Sequence, residues 1–324
     1  PLKSKNPFKM ASNIGRLAKI IRKHKIDIVH ARSRAPAWSA YFAAARCRVP
    51  FVTTFHNAYG SASALKRKYN SVMGKGARVI AISDFVAGHA AETYGLDRAS
   101  LHVVPRGVDI GAFDPATLDP QRVKTLRQTW NLTPGTPVIL CPARITRWKG
   151  QSVLIAALAK LERRDFACVI VGGGKDSAYG KELERDIQRA GLSKNIAIFD
   201  TCRDMPAAYA LADLVVTPST RPEGFGRTVV EAQAMGAPVI ATNHGGARET
   251  VIHGETGWLV EPDDAAELAE AINTVLNLSL EQRHALAQRA IAHVRAHFTT
   301  ASMTAKTIAI YRDILAKVKT GASL

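Results

Sequence analysis

Short β-branched runs alternate with amphipathic stretches along the whole chain. In its first part, 27–32 (DIVHAR), 51–56 (FVTTFH), 78–83 (RVIAIS) and 101–105 (LHVVP) predict strands. Met10, Ile14, Leu17 and Ile21 fall on one face of a predicted helix over 9–25. A second series follows at 138–143 (VILCPA), 167–172 (ACVIVG), 196–200 (IAIFD), 214–218 (LVVTP), 238–242 (PVIAT) and 257–260 (GWLV). Strands that alternate with helices predict parallel sheets of doubly wound type. The runs VILC and DLVV are apolar throughout, as strands covered on both faces are. Pro, Gly and Asp concentrate between 107 and 137, which predicts a linker between two Rossmann-like α/β domains. The expected division is 1–118, 119–299 and a last helix over 300–324 that crosses back to the first domain. Amphipathic stretches at about 263–277, 280–297 and 300–320 close the chain, and no solenoid repeat is present. A domain of this type normally opens with a strand and a glycine-rich turn. Neither stands before the first predicted helix, so an N-terminal βα unit is expected to be missing.

Charge changes this picture more than composition does. The 324 residues are 47% hydrophobic, which is ordinary for a globular chain. No apolar run approaches membrane-spanning length and no signal-peptide core stands at the start, so a cytoplasmic setting is expected. Cys47, Cys141, Cys168 and Cys202 lie far apart without metal-site spacing, which suits a reducing compartment. The net charge is +17, and residues 1–120 hold 19 Lys/Arg against 7 Asp/Glu, or +12. Such a field points to an anionic partner (membrane surface, nucleic acid or phosphorylated acceptor), with a plain solvated basic face as the alternative. Nucleic acid is the weaker partner: aromatics are 6% and no binding motif is present.

In open α/β sheets, ligands bind at the carboxyl ends of strands, so the residues just beyond each strand carry the chemistry. After VILCPA come Arg144 and Lys149 before a predicted helix, two cations suited to a departing phosphate. After ACVIV comes Gly172-Gly173-Gly174-Lys175, a turn that lets backbone approach a ligand or is merely tight. Neither a P-loop nor a complete dinucleotide fingerprint is present. After DLVVTPS comes RPEGFGRTVVEA, in which Glu223 precedes the turn Gly224-Phe225-Gly226 and Glu231 lies one helical turn beyond it. Free N–H groups at that helix start can hold an anion or sugar hydroxyls, and Glu231 can accept from a vicinal diol such as a ribose. Asp263 and Asp264 start a helix and read as caps rather than metal ligands.

Arg144 and Lys149, the run PSTRPEGFGRTVVEAQAMGAPVIATNHGGARE, ISDFV at 82–86 and PRGVD at 105–109 together resemble the retaining GT-B glycosyltransferases of family 4. The resemblance spans essentially the whole chain and is most specific over 138–262. At 106 the family more often has Asn than Arg. The resemblance implies two Rossmann-like domains facing across a cleft, with the second binding a nucleotide-sugar (NDP-sugar). It assigns Arg144 and Lys149 to the departing diphosphate and Glu231 to the ribose. Glu223, with the backbone at Gly224, Phe225 and Gly226, is assigned to the transferred sugar. Thr201, Cys202 and Arg203 fall where the family's loop meets the base, and Gly173 falls near the diphosphate. His56, ending the strand FVTTFH, falls where the family often has a histidine beside the donor sugar. The family generally needs no metal ion, so the co-substrate NDP-sugar is expected without a cofactor.

The expected reaction is retaining transfer of a sugar to a glycolipid or oligosaccharide acceptor, with lipopolysaccharide core favoured. Arg16, Lys19, Arg22, Lys23 and Lys25, with Lys66, Arg67 and Lys68, are the cations expected to meet an anionic inner-membrane surface as a peripheral protein. A non-catalytic nucleotide-sugar-binding fragment, a nucleic-acid-binding α/β protein, and an epimerase or glycogen-synthase-like relative are the alternatives.

Overall fold

The structure is a computed structural model and describes residues 7–60 and 63–322. It divides into two compact units, Pro1–Arg106 with Ala301–Leu324, and Gly107–Thr300.

In the first unit, α1 (Pro7–Lys23) leads into β1 (Val29–Ala31), α2 (Arg34–Cys47), β2 (Phe51–Phe55), α3 (Ala64–Asn70), β3 (Arg78–Ala81), α4 (Asp84–Tyr94) and β4 (Leu101–Val103). The four strands pair in parallel in chain order, β1-β2-β3-β4. Strand β2 is buried along its full length, as the run FVTTF predicts for a strand covered on both faces. Helix α4 starts at its cap Ser83, whose hydroxyl accepts from the Val86 N–H. The predicted strand 101–105 stops at Val103 because Pro105 follows and can donate no ladder hydrogen bond.

The second unit holds α5 (Pro120–Thr129), β5 (Val138–Pro142), α6 (Gln151–Lys160), β6 (Ala167–Val171), α7 (Ala178–Arg189), β7 (Ile196–Phe199) and α8 (Met205–Leu211). It continues through β8 (Leu214–Thr217), α9 (Arg227–Ala234), β9 (Val239–Thr242), α10 (Ala247–Thr250), β10 (Trp258–Val260), α11 (Ala265–Leu276) and α12 (Leu280–His297). Its six strands are all parallel in the order β10-β9-β8-β5-β6-β7. Ile139, Leu140, Val169, Ile170, Leu214 and Val215 are sealed from solvent between the two helical layers. Helix α11 begins at 265 rather than 263. Asp263 is left-handed at φ 61°, and the Asp264 side chain caps the helix by accepting from the Ala266 and Glu267 amides.

At the edge of the second unit, Val108 N–H donates to Phe298 and Thr300 N–H donates to Val108. The entering and leaving segments of the chain therefore run side by side there. Helix α13 (Thr300–Thr320) then returns the chain to the first unit. Its Ile310 and Ile314 pack on Val52, Ile80 and Val104 of the first sheet. Among the described residues no helix is long and apolar enough to cross a membrane.

Candidate active site

Strand order in the second unit reverses between β5 and β8, so connections diverge to opposite sides there and leave a crevice beyond the carboxyl ends. The two polar loops singled out by sequence leave those two neighbouring strands. The β5 loop carries Arg144 and Lys149, and the β8 loop carries Ser219 and Glu223. They meet directly, with Lys149 Nζ 2.7 Å from Glu223 Oε1. The buried Ser219 hydroxyl donates to the same oxygen at 2.5 Å. Glycine is required where these loops cross: Gly150 has φ 71°, and a Cβ there would run into the Pro218 carbonyl. Gly246 N–H donates to the Glu223 carbonyl at 2.9 Å, so the β9 loop closes behind the carboxylate.

Glu231 sits on α9, which opens at Gly226 (φ 84°) with no side-chain cap. Its carboxylate is held at both oxygens. The Tyr209 phenol on α8 donates to Oε2 at 3.0 Å, and Arg227 donates to Oε1 at 2.7 Å. Burial pushes the Tyr209 phenol well up, and neighbouring Glu231 adds to the shift, so Tyr209 remains a donor. A cavity of about 270 Å³ brings Arg144, Thr201, Cys202, Tyr209 and Glu231 together. A second, of about 830 Å³, places Arg203, Arg227 and Glu231 with Phe113, Asp204 and Met205. Gly173 lies beside the β5 loop, its carbonyl accepting from Ile145 N–H at 3.0 Å. Gln151, at the start of α6, donates to the Arg144 carbonyl at 2.9 Å and pins that loop.

Some expected positions act differently from their side-chain chemistry. The Phe225 ring is buried edge-on against Phe298, 5.6 Å between centroids, so only its backbone is left for a ligand. Cys202 is half-buried and donates to the Asp204 carbonyl at 3.4 Å. Burial pushes the Cys141 thiol on β5 up to about 12, which excludes it as a thiolate nucleophile. Among the described residues no group of three or more His, Cys, Asp and Glu is arranged to hold a metal ion.

His56 belongs to the first unit, at the carboxyl end of β2. Its Nδ1 lies 3.1 Å from the Arg106 guanidinium beyond β4. His30 on β1 contacts Tyr311 Oη at 2.5 Å and Thr54 Oγ1 at 2.7 Å. Burial lowers both histidines to about 4; Arg106, then Arg32 and His30, add to the shift at His56, and Arg32 adds to it at His30.

With this geometry in place, residues 123–293 match the family described as Glycosyl transferases group 1, and residues 1–111 match Glycosyltransferase Family 4. The chain belongs to the group 1 glycosyl transferases. This glycosyltransferase is 33% identical over 276 residues to the GDP-mannose-dependent alpha-(1-6)-phosphatidylinositol monomannoside mannosyltransferase of Mycolicibacterium smegmatis, covering 81% of this chain and 70% of that one. It superposes on the crystal structure of a glycosyltransferase from Rickettsia africae ESF-5 with a TM-score of 0.90 at 40% identity, covering 96% of this chain and 83% of the other. The Anabaena Alr3699/HepE structure in complex with UDP gives 0.84 at 27% identity, covering 93% and 82%. The glycosyltransferase thus has the GT-B fold class that its sequence predicts.

Tyr209, Ser219, Gln151 and Arg227 are not singled out by their spacing. Each acts on a predicted residue from another element or an earlier turn. The available signal is a polar side chain inside an otherwise apolar run, as Tyr209 is in AAYALA.

Proposed function

We propose that the second unit binds an NDP-sugar and that the enzyme transfers the sugar, with retention, to a lipid-linked glycan. The observation that carries this reading is the joining of Arg144, Thr201, Cys202 and Glu231 around one cavity at the strand-order reversal. The relative solved with UDP supports a nucleoside diphosphate there. In this reading Glu231, held by Tyr209 and Arg227, accepts from the ribose hydroxyls. Arg144 and Lys149 neutralise charge on the departing diphosphate, where fixed cations lower the barrier most. Ser219 and Lys149 both engage Glu223 Oε1, which leaves Oε2 to accept from a hydroxyl of the transferred sugar. No cofactor is invoked.

The acceptor reading rests on charge. Residues 1–106 and 301–324 hold 23 Lys/Arg against 5 Asp/Glu, or +18. Helix α1 exposes Phe8 and Ile20 beside Arg16, Lys19, Arg22 and Lys23, and α3 exposes Leu65 beside Lys66, Arg67 and Lys68. Apolar tips among cations suit an anionic lipid surface. Calorimetric titration with UDP-glucose, GDP-mannose and ADP-glucose tests the donor, and the anomeric configuration of the product by NMR tests retention. Failure of all three donors to bind would sink the donor reading. A phosphatidylinositol glycolipid, the acceptor class in the mycobacterial relative's name, is to be assayed beside lipopolysaccharide core.

A further inference from the structure

The first unit contains a long stretch without a carboxylate. Residues 28–83, which take in β1, β2 and β3, hold nine Lys/Arg and no Asp or Glu. Two of the nine stand together at a strand's carboxyl end. Arg32 and Arg34 follow β1, with Ser33 between them in extended backbone at φ −154° and ψ 143°. An extended middle residue sends the side chains on either side of it to the same face. The ion pairs of this unit lie elsewhere: Arg78 and Lys317 meet Asp313, and Arg98 meets Asp84. Among the described residues none of them takes Arg32 or Arg34.

Arg34 is half-buried and held by neutral groups. Its guanidinium lies 4.3 Å from the centre of the Tyr59 ring, and Nη1 donates to Asn70 Oδ1 at 3.2 Å. Both holders are themselves fixed. Asn70 is sealed from solvent and donates to the Gly60 carbonyl at 3.4 Å. The Tyr59 ring packs on Phe55, and its hydroxyl accepts from the His56 N–H. A ring and an amide set the direction of a guanidinium without cancelling its charge. Asn70 takes one of its five N–H donors, so the planar fork can still grip two oxygens of one anion. Arg32 is exposed, yet its charge reaches inward: it lowers His30 after burial, and His56 after burial and Arg106. A half-buried cation without a counter-ion is unfavourable, and a ligand that supplies one offsets this.

We propose that Arg32 and Arg34 form a subsite for an acidic group of the acceptor, a phosphate or a carboxylate attached to its sugar. The proposal rests on the acceptor reading above for its ligand and on the first unit alone for its geometry. It differs from attraction to a membrane surface. The lysines of α1 and α3 answer any negative surface, whereas a fork of fixed direction selects one anionic group at one place. The enzyme therefore prefers acceptors that carry an acid to neutral analogues of the same sugar.

NMR titration of the whole chain without donor tests this, with myo-inositol 1-phosphate set against myo-inositol and glucuronic acid against glucose. Wild type should bind at least one acid about ten-fold more tightly than its neutral partner, the scale of a hydrogen-bonded contact between charges. The acid preferred identifies the group. Arg32→Gln and Arg34→Gln should each remove most of that preference. Arg34→Lys should keep only part of it, because an ammonium lacks the fork. Replacing Arg16, Lys19 and Lys23 with Gln should leave the preference as it is, which separates the subsite from the general field. Equal binding of acids and neutral partners by wild type would overturn the proposal, as would a preference that survives both Arg32→Gln and Arg34→Gln. An Arg34→Gln chain with a lowered Tm but an intact preference would assign Arg34 to holding α3 alone, and would overturn it too. No donor is present in the titration, so its failure leaves the nucleotide-sugar reading intact, and failure of that reading leaves the titration unchanged.

Discussion

The two sheets present opposite electrostatic solutions at their carboxyl ends. In the second unit, acids and bases are matched to each other: Lys149 with Glu223, Arg227 with Glu231. The unit as a whole is nearly neutral, with 21 Lys/Arg against 22 Asp/Glu. In the first unit the strand-end contact joins two bases, Arg106 and His56, and the unit carries +18. A matched pair is preorganised, because each partner keeps the other in place without ligand. A net positive field attracts anions from a distance, whatever pairs lie within it. The difference teaches that charge in the second unit is balanced within it, while the first keeps a net field that reaches outward.

The sharpest way to break this comparison is Lys149→Ala. It should lower turnover by about 10²–10³, the scale of one lost electrostatic stabiliser, and do less to donor affinity. Steady-state kinetics would decide, and near-normal turnover would remove Lys149 from the chemistry. Next in size, replacing Arg16, Lys19 and Lys23 with Gln should weaken binding to phosphatidylserine vesicles by about 100-fold, at about 1 kcal/mol per cation. Transfer to a small soluble acceptor should be unaffected. Equal binding to neutral and anionic vesicles would show that the first unit's charge does not serve a membrane. Glu231→Gln should raise donor KM by about ten-fold or more with kcat largely kept, since hydrogen bonds to a charged acceptor contribute about 1.5–3 kcal/mol. Smallest of the four, Tyr209→Phe should raise donor KM a few-fold, because Arg227 still holds Glu231 and the lost hydrogen bond acts on the donor only through that carboxylate. A larger effect on kcat than on KM would mean that Tyr209 does more than position Glu231.

Much of the fold is legible because the strands are apolar over their full length and the breaks between them are chemically abrupt. All six strands of the second unit lie within the predicted runs. Edges are less legible, since they depend on local backbone events: Pro105 ending β4, Asp263 turning left-handed before α11. The short α3 and α10 carry too few turns to show a periodicity. In the site, Lys149 and Glu223 can be picked out because they stand beside glycines at strand ends, and Glu231 because it lies one helical turn beyond Gly226. Their partners cannot. Tyr209 lies 22 residues before the carboxylate it holds, and only the packing of α8 on α9 makes them neighbours. Charge is legible in sign but not in distribution, because α13 adds four cations to the first unit from the far end of the sequence.

That return of the chain has a consequence for how such enzymes can be recombined. The first unit is discontinuous, and the two passages at Val108 and Thr299 are laced together. A single genetic crossover cannot exchange it. A chimera carrying a foreign first unit needs two junctions, near 106 and near 300, and the grafted last helix must bring apolar residues matching Ile310 and Ile314 to its own sheet. Exchange at the first junction alone would pair one enzyme's sheet with another enzyme's helix, so the core of the first unit is inherited from both ends of the gene at once.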